Sequence, residues 1–333
     1  MIISNICRGF GNQMFRYAAG RALSLRKGCP LKLDISWFDT FSQNSGLVGP
    51  CTVRQYLLPV FGISCEIATK DEIDAFTTDT FGRYRKWSLD FPLWPEPLSC
   101  VCSSEPRRNE CRKVGKNIFR AEPADSIGSD GYWEDFSDIV PPAYIHGNFL
   151  CERYFKDIRG QLLKDFTFPE LPEECLPIRD SILSHEHSIS LHVRHGDYLK
   201  KDSGTGRVRF VVIDIDYYRR ALEYIFERVS NPAVYVFSDD MDWCREHLGS
   251  CGAPVTFVDL ESEATCYHDM NLMSLCRHHI IANSTFSWWG AWIARKEGIT
   301  CSPEQWYQEE AFRQYNPSAE GWIRIANGSL HSR

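Results

Sequence analysis

The sequence predicts an α/β protein built from two doubly wound domains. Short apolar segments typical of buried strands alternate with helical patterns in both halves of the chain. Glycines or charged residues directly follow several of these strands, which is where open α/β sheets bind their ligands. A segment with three prolines and three acidic residues, 168–177, separates the halves. We therefore predict an N-terminal domain over 1–167, a linker over 168–178 and a C-terminal domain over 179–333.

Composition and charge exclude several classes of protein. The 333 residues suffice for two domains of ordinary size, and 43% of them are hydrophobic, as in other globular proteins. The formal net charge of -7 argues against broad nucleic-acid binding, which favours a basic surface. No apolar segment approaches the roughly 18 residues that a membrane span requires, and no signal-peptide pattern follows Met1.

The 14 cysteines are numerous enough to suggest a disulfide framework. Because no secretory signal precedes them, we instead expect a cytoplasmic protein whose thiols are mostly free. Cys100, Cys102 and Cys111 lie close together in the sequence, so a zinc site is an alternative there. No paired Cys-x-x-Cys ligand set accompanies them.

The chain opens with a predicted strand, a glycine turn and a helix. Residues 2–6 are apolar enough for a buried strand, and helical spacing of apolar residues continues to about residue 27. Gly9 and Gly11 would let the backbone approach a ligand closely, and the helix start offers unpaired N–H groups to an anion. The turn lacks the dinucleotide-binding glycine fingerprint and the lysine of a P-loop. A second strand at 31–35 completes a βαβ unit.

The remainder of the first domain is less regular. We predict a short apolar element at 57–61, a helix at 67–76, a strand at 143–149 and a helix at 152–166. The basic run at 106–113 fits a solvated loop better than a binding site.

The second domain alternates strands and helices regularly, and residues from 317 onward read as a tail. The predicted strands are 188–194, 233–237, 255–258, 278–282 and 299–301, and the predicted helices are 217–229, 241–248, 269–276 and 285–295. Asp216 is placed to cap the helix at 217–229. Alternatively, Asp214 and Asp216 form an Asp-x-Asp pair that holds a divalent metal ion.

The densest group of charged side chains lies at the end of the strand at 188–194. His192 lies within that strand, and Arg194, His195 and Asp197 end or follow it. A guanidinium is planar and always protonated, so Arg194 can bind phosphate oxygens with two donors at once. A simple ion pair between Arg194 and Asp197 explains the same residues structurally.

Two further polar clusters follow strands of the same domain. Asp239 and Asp240 follow the strand at 233–237, and Asn283, Ser284 and Thr285 follow the strand at 278–282. Ser284 is placed to cap the next helix while its hydroxyl and N–H face a ligand. All three clusters should converge on one crevice, because ligands bind beyond the carboxyl ends of the strands. Cations, helix starts and carboxylates together fit a nucleoside diphosphate.

Four segments in order resemble the α-1,2-fucosyltransferases of glycosyltransferase family eleven. They are 9–15 (G-F-G-N-Q-M-F), 192–198 (H-V-R-H-G-D-Y), 237–240 (F-S-D-D) and 284–292 (S-T-F-S-W-W-G-A-W). Residues 147–155 are similar to the family segment that precedes the linker. The resemblance extends over essentially the full chain.

The resemblance implies a GT-B-like fold, with two Rossmann-like domains facing a central cleft and the donor held mainly by the second. It implies transfer of fucose from GDP-β-L-fucose to the 2-hydroxyl of a terminal β-galactoside, with inversion and without a metal ion or other cofactor. The partner is then a galactose-terminated glycan. A lipid-linked glycan would bring the enzyme to the inner membrane as a peripheral protein.

The resemblance also implies roles for individual residues. Arg194 would contact the donor pyrophosphate and neutralise the departing GDP, and His192 would lie beside the nucleotide. The other donor contacts would come from Asp239 or Asp240 at guanine or ribose, from Ser284 and Thr285 at phosphate, and from Gly9, Gly11 and Asn12 of the first domain.

Two positions depart from the family pattern. His195 stands where many relatives have a second arginine, so one positive charge of the site would depend on pH. Arg8 stands where relatives often have another glycine. Arg194 itself is retained.

The acceptor hydroxyl must lose a proton during transfer. Asp197 and Asp202 are near enough to Arg194 in sequence to be candidate bases. Asp197 fits equally well as the residue that orients Arg194.

Three alternative functions share these residues. The chain could transfer fucose to another acceptor, or another sugar from GDP. It could bind a GDP-sugar without turnover. It could also be a metal-dependent transferase that uses Asp214 and Asp216.

Overall fold

A computed structural model describes the chain over residues 1–43, 54–77, 112–114, 117–121, 130–195, 211–260, 265–308 and 313–327. The chain divides into two compact units, Met1–Thr167 and Phe168–Arg333. Each unit contains a six-stranded sheet among its described residues. Helices flank largely parallel strands in both units, which confirms the predicted α/β class.

The sheet of the first unit has the strand order β3-β2-β1-β6-β5-β4. Its strands are β1 Ile2–Asn5, β2 Leu31–Asp34, β3 Glu66–Ile67, β4 Arg112–Val114, β5 Asn117–Ala121 and β6 Ala143–His146. All neighbours pair in parallel except β4 and β5. Every residue of β1 and β6 is buried, as expected for the two central strands of a largely parallel sheet.

The helices of the first unit are α1 Phe10–Arg26, α2 Ser36–Gln43, α3 Lys70–Thr77 and α4 Arg159–Asp165. Helix α1 packs closely on β1, and a Cβ atom added at Gly20 would lie 2.9 Å from Cβ of Ser4. Glycine is therefore needed at this contact. The same serine donates a hydrogen bond to the backbone oxygen of Arg16 at 2.9 Å, which ties the second turn of the helix to the strand.

Two predicted helices of the first unit are shorter than expected. Helix α3 begins at Lys70 rather than at residue 67, because Thr69 and Glu72 form a reciprocal capping box. The segment predicted as one helix over 152–166 opens with two 3-10 turns before α4. Phe155 leaves the helical region at φ -148° and packs its ring 5.8 Å from that of Phe15.

Two other segments singled out in the first unit are the apolar element at 57–61 and the basic run at 106–113. The element predicted at 57–61 is a 3-10 turn, Leu58–Phe61. Within the basic run, 106–111 lies outside the described residues, and Arg112–Val114 forms the edge strand β4.

The sheet of the second unit has the order β12-β11-β10-β7-β8-β9, with every pair parallel. Its strands are β7 Ser188–Val193, β8 Ala233–Ser238, β9 Val255–Val258, β10 His278–Ile280, β11 Thr300–Pro303 and β12 Ile323–Ile325. The chain proceeds outward from β7 to β8 and β9, then returns to the other side of β7 with β10. The direction of strand order therefore reverses between β7 and β10, and doubly wound folds bind ligands at that switch point.

The helices of the second unit are α5 Leu176–Ser184, α6 Ile215–Phe226, α7 Met241–Leu248, α8 Cys266–Leu275 and α9 Thr285–Trp292. Helices α6 and α7 bury apolar residues against one face of the sheet. Helices α5 and α8 bury theirs against the other face, around Tyr235 and Phe237 of β8. The sheet is thus covered on both sides, as a doubly wound architecture requires.

Three sequence predictions for the second unit need correction. The predicted linker ends inside α5, and Cys175 directly before that helix is buried in the core. The predicted tail instead pairs as β12 with β11, and Nε1 of Trp288 donates to the backbone oxygen of Pro317 at 2.7 Å. Asp214 rather than Asp216 caps α6, because its carboxylate accepts the N–H of Tyr217 at 3.1 Å.

All ten cysteines in the described ranges are free thiols. Cys100, Cys102 and Cys111 lie outside those ranges. Among the described helices, none combines the length and the apolar character that crossing a lipid bilayer requires.

Candidate functional site

The carboxyl ends of β10, β7 and β8 lie side by side in the second unit. The three polar clusters singled out in the sequence follow these three adjacent strands. They therefore share one edge of the sheet, at and beside the switch point between β7 and β10.

Arg194 is held by a carboxylate from the neighbouring strand. Its Nη1 atom lies 3.1 Å from Oδ2 of Asp239, and both side chains are about a quarter exposed. The other oxygen of Asp239 accepts the backbone N–H of His195 at 2.8 Å. One carboxylate thus fixes both the guanidinium and the backbone after β7. Asp197, the partner considered from sequence, lies outside the described residues, as does Asp202.

Asp240, which follows β8, also contacts the segment that follows β7. Its Oδ1 caps α7 by accepting the N–H of Trp243 at 3.2 Å, and its Oδ2 lies 2.8 Å from Nδ1 of His195. The hydrogen bond from His195 is the main reason why the pKa of Asp240 is lowered. Asp239 or Asp240 was predicted to hold guanine or ribose, and both carboxylates are engaged within the protein.

The ring of His195 extends an aromatic stack along α7. It lies 4.9 Å from the ring of Trp243, which stacks on His247 at 4.5 Å and 16°. Because an ionised carboxylate only accepts hydrogen bonds, Nδ1 of His195 carries the proton toward Asp240. Trp243 and His247 were not predicted from the sequence, although their four-residue spacing on a predicted helix places them on one face.

His192 is a buried neutral imidazole beside these groups. Its ring lies 5.6 Å from that of Phe286 in α9, and its Nδ1 has no hydrogen-bond partner in the described part of the chain. Burial, followed by the positive charge of Arg194, lowers the pKa of His192 to about 3. The side chain therefore adds no positive charge to the site near neutral pH.

The start of α9 follows β10 at the switch point. Oγ of Ser284 accepts the N–H of Phe286 at 3.3 Å, and Thr285 is the first residue of the helix. Asn283 is buried, and its amide nitrogen donates to the backbone oxygens of Val211 and Trp306 at 2.9 Å each. The Asn283 amide donors anchor two loops, whereas Ser284 and Thr285 form the helix start.

The first unit has its own switch point, between β1 and β6, where α1 begins. Gly9 is the N-cap of α1 with ordinary extended dihedral angles, and no side chain caps the helix there. A Cβ atom added at Gly9 would lie 4.0 Å from both Nε of Arg54 and Nδ2 of Asn12. Gly11 is buried within the first turn. Two nitrogen-bearing side chains thus lie next to the helix start, where an anion is favoured.

The side chain of Gln13 links the glycine turn to the segment at 55–57 by hydrogen bonds. Its Nε2 donates to the backbone oxygens of Arg8 and Gln55 at 2.9 and 2.8 Å, and its Oε1 accepts the N–H of Leu57 at 2.9 Å. These bonds fix the segment that carries Arg54 against the glycine turn. From the sequence, Gln13 was part of a motif without a predicted role, and Arg54 was not predicted.

Arg8 adopts a backbone conformation that favours glycine. Its φ of 69° places it in the left-handed region. Together with Arg16 it contributes, after burial, to a pKa of His146 well below its usual value. The carboxyl edge of β1 and β6 is accordingly basic.

The described residues contain no group of three or more side chains arranged to hold a metal ion. Asp214 caps α6, and Asp216 lies 3.5 Å from Nη1 of Arg219 on the helix surface. Both carboxylates of the alternative Asp-x-Asp metal site therefore already have contacts within the chain.

Comparisons with known proteins show the family to which this chain belongs. The profile of glycosyl transferase family 11 matches residues 135–326. Alpha-1,2-colitosyltransferase of Escherichia coli is 28% identical over 330 residues, covering 98% of this chain and 99% of that protein. Galactoside alpha-(1,2)-fucosyltransferase 1 of Homo sapiens is 28% identical over 203 residues, covering 58% of this chain and 55% of that protein.

Similarity to solved structures is more distant. The fucosyltransferase NodZ from Bradyrhizobium aligns with a TM-score of 0.45 at 14% identity, covering 87% of this chain and 91% of that chain. A likeness at this level carries no argument about function. The family profile, in contrast, spans more than half of the chain and confirms the family that the four segments predicted. This protein belongs to glycosyltransferase family 11 and is a glycosyltransferase.

Proposed function

We propose that this enzyme transfers L-fucose from GDP-β-L-fucose to the 2-hydroxyl of a terminal β-galactoside, with inversion at the anomeric carbon. The observation that carries the proposal is the position of Arg194. It is held by Asp239 at 3.1 Å, one residue beyond β7 and next to the switch point where α9 begins. A fixed cation and a helix start at one sheet edge suit a diphosphate.

The charges at this edge suit the breaking of a sugar–phosphate bond. As that bond breaks, negative charge grows on GDP and positive charge grows on the sugar. A guanidinium that is already oriented, together with the N–H groups at the start of α9, stabilises the developing negative charge without reorganising. Ser284 and Thr285 would meet phosphate oxygens, and His192 would lie beside the nucleotide as a neutral group.

The first unit is proposed to contribute the acceptor side and to contact the donor through Gly9, Gly11 and Asn12. The general base that accepts the proton of the acceptor hydroxyl is proposed to be Asp197 or Asp202. We propose that no metal ion is required, since Arg194 and the start of α9 can supply the positive potential that a metal would otherwise provide.

A second donor deserves direct comparison with fucose. The Escherichia coli relative that is similar over nearly the whole chain is named for transfer of colitose. Colitose differs from fucose only in lacking the 3-hydroxyl, so a site that binds one sugar presents nearly the same shape to the other. Discrimination then depends on a hydrogen bond to that hydroxyl.

The test is acceptor-dependent release of GDP in the presence of excess chelator. GDP-fucose and GDP-colitose are each offered with lactose, with N-acetyllactosamine and without acceptor, and product linkage is read by NMR. The proposal predicts release with GDP-fucose and a galactoside, with an α-1,2 product. A preference for GDP-colitose would assign the other donor. GDP binding without release on any acceptor would support the non-catalytic alternative, and loss of activity in chelator would support a metal-dependent one.

A further inference from the structure

A buried indole N–H lies just beyond β11, at the carboxyl edge of the sheet of the second unit. Trp306 follows the last residue of that strand, Pro303, by three positions. Its side chain is buried, and Nε1 is inaccessible to solvent and has no hydrogen-bond partner in the described part of the chain. A buried indole N–H normally has a partner, because leaving a buried donor unpaired costs stability. The indole of Trp306 therefore has one hydrogen bond left to donate.

Three buried asparagines fix the segment 303–306 that carries this indole. Nδ2 of Asn316 donates to the first two backbone oxygens of the segment at 3.1 and 2.8 Å. Asn327 donates to and accepts from the backbone of the third residue, at 2.7 and 2.8 Å. Nδ2 of Asn283 donates to the backbone oxygen of Trp306 at 2.9 Å. These bonds hold the segment in place before a ligand arrives, as in a preorganised binding site.

Two other tryptophans show that position, rather than an unpaired N–H alone, distinguishes Trp306. Trp288 lies in α9 of the same unit, and its Nε1 donates to the backbone oxygen of Pro317 at 2.7 Å. Trp133 of the first unit has a buried Nε1 without a hydrogen-bond partner among the described residues, as Trp306 does. Of the two unpaired indoles, Trp306 follows a strand that pairs directly with β10, beside the proposed donor site.

The position of Trp306 along the sheet edge indicates which part of the donor it meets. The groups proposed to bind the diphosphate, Arg194 and the start of α9, follow β7 and β10. Strand β11 is the next strand beyond β10, on the side away from β8, where the nucleoside is predicted. Neighbouring strands lie about 4.8 Å apart, so β11 is about one sugar ring beyond the diphosphate. The sugar is attached at the end of the diphosphate opposite the nucleoside, and it therefore extends toward β11.

We propose that Trp306 donates a hydrogen bond from its indole N–H to an oxygen of the sugar that the enzyme transfers. This inference rests on the proposed GDP-sugar donor. An indole suits the role, since its apolar face packs on the C–H groups of a sugar while its N–H binds an oxygen. GDP alone cannot make the contact, so Trp306 distinguishes the sugar nucleotide from the released product.

The test is equilibrium binding of GDP and of GDP-fucose to the full chain without acceptor, measured by titration calorimetry. The wild type is compared with Trp306→Phe and with the matched control Trp133→Phe, which removes the other unpaired indole N–H. Trp306→Phe should weaken GDP-fucose binding about 3- to 10-fold, the effect of one neutral hydrogen bond, and leave GDP binding unchanged. The control should bind both ligands as the wild type does. Urea unfolding verifies that each variant is folded.

The outcomes separate this inference from the proposed function. A folded Trp306→Phe variant with wild-type affinity for GDP-fucose would overturn the role of Trp306. An equal loss of affinity for GDP and GDP-fucose would also overturn it, because the contact would then lie on the nucleotide. An equal effect in Trp133→Phe would have the same meaning. A wild type that binds neither ligand would overturn the proposed donor and, with it, this inference.

A second measurement on the wild type needs no variant to fold. The chain has 10 tryptophans, and 15N NMR follows their indole N–H signals during each titration. The proposal predicts an indole signal that shifts with GDP-fucose and stays in place with GDP. Indole signals that respond identically to the two ligands would contradict it.

Discussion

Arg194 and Asp239 lie 3.1 Å apart across the neighbouring strand ends of β7 and β8. The same carboxylate binds the backbone N–H of His195, so it fixes the guanidinium and the chain that carries it. A cation held in this way is oriented before any ligand arrives. Such preorganisation is what makes a fixed charge effective when negative charge develops on a leaving group.

Asp239→Asn should lower kcat/KM about tenfold by weakening the charged hydrogen bond that orients Arg194. The effect should fall mainly on kcat, because the guanidinium remains present but less well placed. A double-mutant cycle with Arg194→Ala checks this, since Asp239→Asn should have almost no further effect once the arginine is gone. Additive losses in the double variant would show that Asp239 acts independently of Arg194.

Ser284→Asp should distinguish the role of Ser284 as the N-cap of α9 from its proposed role in binding the donor. Aspartate is as good an N-cap as serine, so the free energy of unfolding should change by less than about 0.5 kcal/mol. The added negative charge should repel a diphosphate at the helix start and weaken GDP binding at least about tenfold. Urea unfolding and GDP titration of the same preparation check both parts. Unchanged GDP affinity would place the diphosphate elsewhere.

Asp269→Asn should stabilise the protein at alkaline pH. Burial raises the pKa of Asp269 from 3.8 to about 7, so the folded state binds this proton more tightly than the unfolded state does. The free-energy cost of ionising this buried carboxyl in the folded state is therefore absent below about pH 4. It grows as the pH rises toward about 7 and is complete above that pH. In urea unfolding, the free energy of unfolding of the variant should exceed that of the wild type by on the order of 2–4 kcal/mol at pH 8. At pH 4 the difference should be small. A gain of equal size at both pH values would contradict this origin.

Arg8→Gly should increase the free energy of unfolding by about 1 kcal/mol. The φ of 69° at Arg8 is strained for a residue with a Cβ atom and unstrained for glycine. Gly9→Ala is the matched comparison, because Gly9 has ordinary dihedral angles and space for a Cβ atom. Thermal unfolding of both variants checks the contrast. Destabilisation by Arg8→Gly would mean that contacts of the Arg8 side chain outweigh the backbone strain.

The sequence predicted the parts of the fold and site that depend on local patterns. Apolar periodicity located most strands of the second unit and α7 in full, and the polar residues after the strands identified Arg194 and Ser284. Parallel sheets bring such strand ends together, so their shared edge followed from topology.

Contacts between residues far apart in the chain were not predicted from the sequence. Arg194 was matched to nearby Asp197, whereas Asp239 comes from the next strand in the sheet. Asp216 was predicted to cap α6, whereas the hydrogen bond from the N–H of Tyr217 shows that Asp214 is the cap. Oδ1 of Asp269 in α8 is buried and lacks a hydrogen bond within the described residues, and no spacing along the chain reveals such burial.

The most direct test of the central claim is the rate of acceptor-dependent GDP release by the wild type and Arg194→Ala, with GDP-fucose, lactose and chelator. The matched control is Arg277→Ala, because Arg277 pairs with Glu186 before β10, at the opposite edge of the same sheet. We expect Arg194→Ala to lose about two to three orders of magnitude in rate and Arg277→Ala to stay close to the wild type. A folded Arg194→Ala variant that releases GDP at nearly the wild-type rate would contradict the assignment of this sheet edge as the donor site.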